Sequence, residues 1–301
     1  MDDGEGRLWQ GLTCSAQDGL TLFARDYAPA PEKAAGKALP VVCLPGLARH
    51  SADFHEVAVA LSRDAPRKRR VLAVDYRGRG RSGRDKNWEN YTVQTEAADL
   101  LTLVTAAGID RAIFLGTSRG GLITMVLSVM RPAAIAGAIL NDIGPVIDGQ
   151  GLARIRQYVG KMRTPANWDE AVDMLKTHAH RRFPALSDHE WLKFAERTWS
   201  MTDGKLATSY DPALAKGLQA LDLERPLPAL WEAFMGLSGV PLLAIRGENS
   251  DLLSTETLAE MARRHPACET LVVEGQGHAP LLDDAPSLMA ITRFCARLDG
   301  D

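Results

Sequence analysis

Gly116-Thr117-Ser118-Arg119-Gly120 follows the short apolar run Ala112-Ile113-Phe114-Leu115 and opens the apolar stretch 121–130. The first run reads as a buried strand and the second as a helix with little exposed surface. A G-x-S-x-G pattern between a strand and a helix makes a turn so tight that the serine stands alone for attack. Its glycines are required because side chains there would collide with the neighbouring strand and helix. A serine hydroxyl is a poor nucleophile near neutral pH, so it needs a base for its proton and a third group to orient that base. The base is expected after the last strand, where Gly275-Gln276-Gly277-His278-Ala279-Pro280 lets an imidazole project from a loop. The orienting carboxylate is expected after the preceding strand. There Arg246-Gly247-Glu248-Asn249-Ser250-Asp251 offers Asp251 as the leading candidate, with Glu248 read as a loop hydrogen-bonder. Ser118, Asp251 and His278 then follow the order nucleophile, acid, base.

These residues need a scaffold that brings three distant loops to one edge. Asp18-Gly19 separates strand-like runs over 12–17 and 20–27 and reads as a hairpin turn. A loop over 28–39 leads to the buried strand Val41-Val42-Cys43-Leu44, a helix over 52–63 and a strand over 70–74. Thr92 caps the next expected helix, whose Val93, Ala97, Leu100, Leu101 and Val104 repeat at helical spacing. The serine strand and helix come next, then an apolar run over 135–140. From 146 to 238 the pattern turns mostly helical and holds Trp168, Trp191, Trp199 and Trp231. Strand–helix alternation resumes with strands over 240–245 and 270–273 and helices over 255–264 and up to 298. The expected fold class is α/β: a mostly parallel central sheet with helices on both faces and an inserted helical cap. The division is core 1–145, cap 146–238 and core 239–301, with the cap over the C-terminal strand edge where ligands enter such sheets.

Composition narrows the function classes. The 301 residues are 46% apolar and 24% charged, ordinary for a globular protein with a sizeable core. Lys and Arg number 35 against 38 Asp and Glu, a net charge of −3, so no basic balance points to nucleic acid or an anionic membrane. The basic cluster Arg67-Lys68-Arg69-Arg70 reads as a short solvated loop entering a strand. Cys14, Cys43, Cys268 and Cys295 lack C-x-x-C spacing and read as free thiols of a reducing compartment. The acidic residues 1–6 carry no apolar signal region, and no run approaches a membrane span, so a cytoplasmic location is expected. His178-Ala179-His180 does not read as a metal pair, because i, i+2 residues do not share a helix face. No metal and no organic cofactor are expected.

The chain resembles the α/β-hydrolase fold superfamily, of the capped type, over nearly its whole length. Leu44-Pro45-Gly46-Leu47 falls where that family has its oxyanion loop, and Asp75-Tyr76-Arg77-Gly78-Arg79-Gly80-Arg81-Ser82 resembles its D-x-R-G-x-G-x-S signature. The resemblance implies an oxyanion hole made by the backbone N–H groups of Leu47 and Arg119. It also implies a structural role for Asp75 and Arg77; the Arg119 side chain is read as forming an ion pair rather than touching substrate. Some members place the acid one strand earlier, which makes Asp142, in Leu140-Asn141-Asp142-Ile143, the alternative to Asp251. Pro45 departs from the histidine often found there, so this loop must be anchored differently. An elbow serine sets the chain apart from the dehalogenases and epoxide hydrolases of this fold, which attack with aspartate.

The expected function is a serine hydrolase cleaving a carboxylic ester or lactone through an acyl-enzyme, acting on a moderately hydrophobic small molecule. Hydrolysis of a carbon–carbon bond in a dienoate or diketone, and cofactor-free perhydrolysis, use the same residues and stay open. A ligand-binding homologue without activity is the non-enzymatic alternative.

Overall fold

In the computed structural model, which describes residues 8–29, 38–223, 225 and 227–299, eight strands form one sheet. In chain order these are β1 (Gln10–Ser15), β2 (Thr21–Tyr27), β3 (Val41–Leu44), β4 (Val71–Asp75), β5 (Ala112–Thr117) and β6 (Ile135–Asn141). After an insertion bearing its own small hairpin, β7 (Trp199–Thr202) and β8 (Lys205–Thr208), come β9 (Leu242–Gly247) and β10 (Cys268–Val273). The spatial order is β1-β2-β4-β3-β5-β6-β9-β10. β1 and β2 pair antiparallel through the Asp18-Gly19 turn, β2 meets β4 antiparallel, and every later pairing is parallel. The expected loop 28–39 and the acidic N-terminal residues 1–6 lie largely or wholly outside the described residues.

The alternation of side chains across a strand explains why both faces are covered. Val42, Leu44, Leu72, Val74 and Phe114 enter one core, closed by α2 (Val93–Ala106), α3 (Arg119–Met130) and α9 (Thr255–Arg264). Their strand neighbours Val41, Cys43, Val71, Ala73 and Ile113 enter the other, closed by α1 (His55–Val59) and α10 (Ala285–Arg297). Strands buried on both faces read as continuous apolar runs, and β3, β4 and β6 are buried at every position. Thr92 caps α2 as expected, its side chain accepting from the Thr95 N–H at 3.1 Å.

The insertion carries α4 (Gly149–Tyr158), α5 (Trp168–Ala179), α6 (Asp188–Glu196), the β7–β8 hairpin, α7 (Leu214–Gln219) and α8 (Trp231–Met235). It has two kinds of packing. α5, α6 and the hairpin enclose a small core of their own around Met174, Phe183, Trp191 and Trp199. Ile155 of α4, Leu214 and Leu218 of α7, and Phe234 of α8 join the main core instead. The hairpin interrupts the expected helical pattern. Its turn, Asp203-Gly204 with φ of 50° and 75°, is the same dipeptide signal as Asp18-Gly19.

Buried ion pairs fasten the loops around the sheet. Arg77 is 2% exposed and holds Asp99 through two bonds of 2.6 and 2.8 Å, with Asp85 at 2.5 Å and Asp18 at 2.9 Å. Asp75 accepts the N–H groups of Ser51 at 2.7 Å and Arg81 at 2.8 Å, so this turn ties loops together beneath the site. The basic cluster needs a correction. Arg69 is not solvated: it is 1% exposed and grips Asp299 at 2.8 and 3.0 Å, which ties the segment after the helix over 285–297 to the entry of β4.

Gly120, in the first turn of α3, has no room for a side chain, since an added Cβ would run into the Leu44 carbonyl. Exposed Gly217 in α7 has nothing within 4 Å of such a Cβ. Gly120→Ala is expected to lower unfolding free energy by at least about 2 kcal/mol, whereas Gly217→Ala should raise it by roughly 0.5–1 kcal/mol. Urea denaturation of both variants checks the pair, and the opposite order would contradict this packing.

Candidate active site

Ser118 stands between β5 and α3 with φ 51° and ψ −110°, a left-handed backbone that non-glycine residues adopt only where the surroundings hold it. The surroundings do so on both sides. The Ser118 N–H donates to Asn141 O at 3.0 Å, and the Ser118 carbonyl accepts from Gly121 N at 2.9 Å. An added Cβ on Gly116 would meet the Gly120 and Gly121 backbone, so the strand and the helix start in contact. The elbow is therefore the closest approach the two elements permit.

His278 lies on the loop after β10, and the described contacts bring it between two partners. Its Nε2 is 3.0 Å from Ser118 Oγ, and its Nδ1 is 2.8 Å from Asp142 Oδ2. A carboxylate only accepts, so Nδ1 is the protonated nitrogen and Nε2 is left to accept from the serine hydroxyl. The Asp142 side chain is 0% exposed and that of His278 is 7% exposed. Besides the imidazole, Asp142 receives the Gly247 N–H on Oδ1 at 2.8 Å and the Ser250 hydroxyl on Oδ2 at 2.6 Å. Its own N–H continues the ladder to Ile245 O at 2.8 Å, so the ends of β6 and β9 position it together. Asn141 closes the arrangement by donating to Thr117 Oγ1 and to Pro280 O, both at 3.0 Å. It thereby spans the serine strand and the histidine loop.

The carboxylate that meets the imidazole is thus the alternative, Asp142, and not Asp251. Asp251 does not meet the imidazole; its carboxylate accepts two bonds from Arg154 of α4, at 2.5 and 2.9 Å. Burial works against its charge, yet the Arg154 guanidinium holds the Asp251 carboxyl below the usual carboxylate range. The physical reason for the exchange is reach. Asp142 begins one residue after a strand adjacent to the serine strand, whereas Asp251 is carried four residues past β9 toward the insertion. Glu248 bonds the Gly275 N–H at 2.8 Å, as a loop hydrogen-bonder should.

Gly46 packs on Ser118: a Cβ built there would lie 4.0 Å from Ser118 Cβ. Its carbonyl accepts from Arg49 N at 3.2 Å, which leaves the Leu47 N–H of the same trans peptide facing away from that turn. The Leu47 carbonyl accepts from Arg79 Nε at 2.8 Å, which anchors this loop from the turn after β4. Arg79 in turn pairs with the fully buried Glu96 at 2.7 Å, and Glu96 pairs with Arg119 Nε at 2.7 Å. Burial opposes ionisation of Glu96, but Arg79 and Arg119 together hold its carboxyl below the ordinary value. Arg119 begins α3, where N–H groups have no intrahelical acceptor.

Arg79, Glu96 and Ser250 were missed by the sequence reading. Glu96 alone left a signal, a charge three residues after Val93 and four before Leu100 on the apolar face of α2.

A cavity of about 180 Å³ opens over Ser118 and His278, walled by Leu47, Ile155, Val159, Met162, Phe194 and Leu281 among others. Loops of the sheet and the insertion both contribute. Among the described residues no group of three or more His, Cys, Asp or Glu stands ready for a metal, and no helix is long and apolar enough to cross a membrane.

Comparison with known proteins agrees with this fold. A family model for the alpha/beta hydrolase fold matches residues 40–285. A 3-hydroxybutyrate-oligomer hydrolase of Cupriavidus necator is 33% identical over 261 residues, covering 84% of this chain and 87% of its own length. A 2-(acetamidomethylene)succinate hydrolase of Mesorhizobium japonicum is 26% identical over 254 residues, covering 83% and 85%. The crystal structure of an alpha/beta hydrolase from Novosphingobium aromaticivorans superimposes with a TM-score of 0.88 at 37% identity, over 96% of this chain and 99% of that one. With its strand order, its elbow and a matching family model over most of its length, the chain belongs to the α/β-hydrolase fold family of hydrolases.

Proposed function

We propose that the protein is a serine hydrolase cleaving a carboxylic ester through an acyl-enzyme, with Ser118, His278 and Asp142 as its triad. The observation that carries this reading is the unbroken chain Asp142–His278–Ser118, with links of 2.8 and 3.0 Å. His278 Nε2 takes the hydroxyl proton as Ser118 Oγ attacks the ester carbonyl, and Asp142 steadies the imidazolium that forms. The N–H groups of Leu47 and Arg119 receive the oxyanion, each such donor being worth roughly 3 kcal/mol in the transition state. His278 then passes its proton to the leaving alkoxide, activates water against the acyl-enzyme, and the acid departs. In this reading the segment 146–238 is a cap that shapes the acyl and alcohol subsites. The buried Arg79–Glu96–Arg119 chain keeps the two oxyanion donors in register.

The relative named as a 3-hydroxybutyrate-oligomer hydrolase supports short hydroxy-acid oligoesters as the class to test first. Such chains are moderately apolar and their linkages are carboxylic esters, which suits the apolar part of the cavity wall.

Fluorophosphonate labelling followed by peptide mass spectrometry should place one adduct on Ser118 of the wild type and none on Ser118→Ala. An unlabelled, folded wild type would overturn the hydrolase reading. With p-nitrophenyl esters, Ser118→Ala should lose roughly 10⁴-fold or more in kcat. Asp142→Asn should fall by about 10⁴-fold through the wrong imidazole tautomer, while Asp251→Asn, which only releases Arg154, should stay far closer to wild type. A severe loss in Asp251→Asn with an active Asp142→Asn would reverse the assignment of the acid.

A further inference from the structure

Four arginines line the cavity over Ser118: Arg49, Arg154, Arg182 and Arg197. A guanidinium withdrawn from water needs a counter-charge or full hydrogen bonding. Three of the four have a carboxylate. Arg49 pairs with Asp53 at 2.5 Å, Arg154 with Asp251 at 2.5 Å, and Arg197 with Asp283 at 3.2 Å. Arg182 is different. Its Nη2 donates to the His178 carbonyl at 2.8 Å, and its Nε is buried with no partner among the described residues.

Arg182 is also held in the cavity wall beside the histidine loop. A Cβ built on Gly277 would lie 2.6 Å from Arg182 Cβ, so the stem lies across the loop that carries His278. Asn249 Nδ2 donates to the Arg182 carbonyl at 3.2 Å, which ties this part of the insertion to the loop after β9. Burial, and next the charge of Arg154, both act against the Arg182 cation, while the nearby Asp251 carboxylate is already engaged by Arg154. The cavity wall between the histidine loop and the insertion therefore carries one positive charge that no described side chain neutralises.

We propose that Arg182 docks a carboxylate of the substrate, so that the ester this enzyme takes is an acidic one. Its free acid end rests on Arg182 while the ester carbonyl reaches Ser118. The proposal rests on the ester-hydrolase reading and deepens it. A guanidinium offers five N–H donors in a planar fork that matches a carboxylate, and among the described residues Arg182 commits only one of them, to the His178 carbonyl. Hydroxy-acid oligomers with a free acid terminus and half-esters of dicarboxylic acids share this chemistry. Neutral acylglycerols do not.

The test compares p-nitrophenyl half-esters of succinic, glutaric and adipic acids with p-nitrophenyl alkanoates of matching length. Wild type should favour at least one half-ester in kcat/KM, chiefly through KM. Arg182→Met should lower that acid-to-neutral ratio by about 10- to 100-fold, the range for a charge-assisted bond, and Arg182→Lys should restore part of it. Equal losses on both substrates would show a merely structural arginine and overturn the proposal, as would a ratio unmoved by Arg182→Met. Calorimetric titration of Ser118→Ala with glutarate and adipate reads the anion site without turnover. Binding that disappears in Ser118→Ala/Arg182→Met supports it, and absence of binding in Ser118→Ala overturns it. Diacid binding by a wild type that hydrolyses none of the esters would leave the anion site standing and overturn the ester-hydrolase reading alone.

Discussion

Everything around the site depends on one buried carboxylate being satisfied. Asp142 has no contact with water, and an ionised carboxylate in that position is tolerable only with donors around it. It has three: the Gly247 N–H, the Ser250 hydroxyl and the His278 imidazole. The first two come from the end of β9 and the loop after it, so the sheet itself supplies most of the compensation. The third follows as a consequence. A carboxylate already held on two sides presents its remaining acceptor capacity in one direction, and the imidazole is fixed in orientation and tautomer by filling it.

A second charge network does for the loop after β3 what Asp142 does for the histidine. Arg79 and Glu96 are both fully buried and join the Leu47 carbonyl to the Arg119 side chain. Buried ion pairs seldom add much net stability, but removing one partner typically costs about 3–5 kcal/mol because the other is left uncompensated. That asymmetry makes the pair a stiff link between β3 and α3 rather than a source of folding energy. The loop is held from below by a guanidinium.

Much of this was legible in the residues and some was not, for identifiable reasons. The elbow, the alternating strands and the late histidine are local patterns, and each element formed within a few residues of where its periodicity placed it. β9 and the Asp203-Gly204 hairpin show the limits. The first begins at Leu242 rather than at 240, and the second carries a turn signal inside a segment whose neighbours read as helix. The choice between Asp142 and Asp251 could not be made locally. Both follow strands of the same half of the sheet, but only β6 lies next to the serine strand, and Arg154, a residue nearly a hundred positions from Asp251, claims the Asp251 carboxylate. The pairing of Arg69 with Asp299 is decided in the same way, by a long-range partner that no window of sequence contains.

The most direct test of the account is the protonation state of one ring. In ¹⁵N-labelled protein near neutral pH, the His278 proton should reside on Nδ1 as a far-downfield hydrogen-bonded signal, with Nε2 bare. That signal should survive Asp251→Asn and vanish or shift sharply upfield in Asp142→Asn. A proton found on Nε2, or a downfield signal lost with Asp251 and kept without Asp142, would contradict the arrangement on which the proposed chemistry rests.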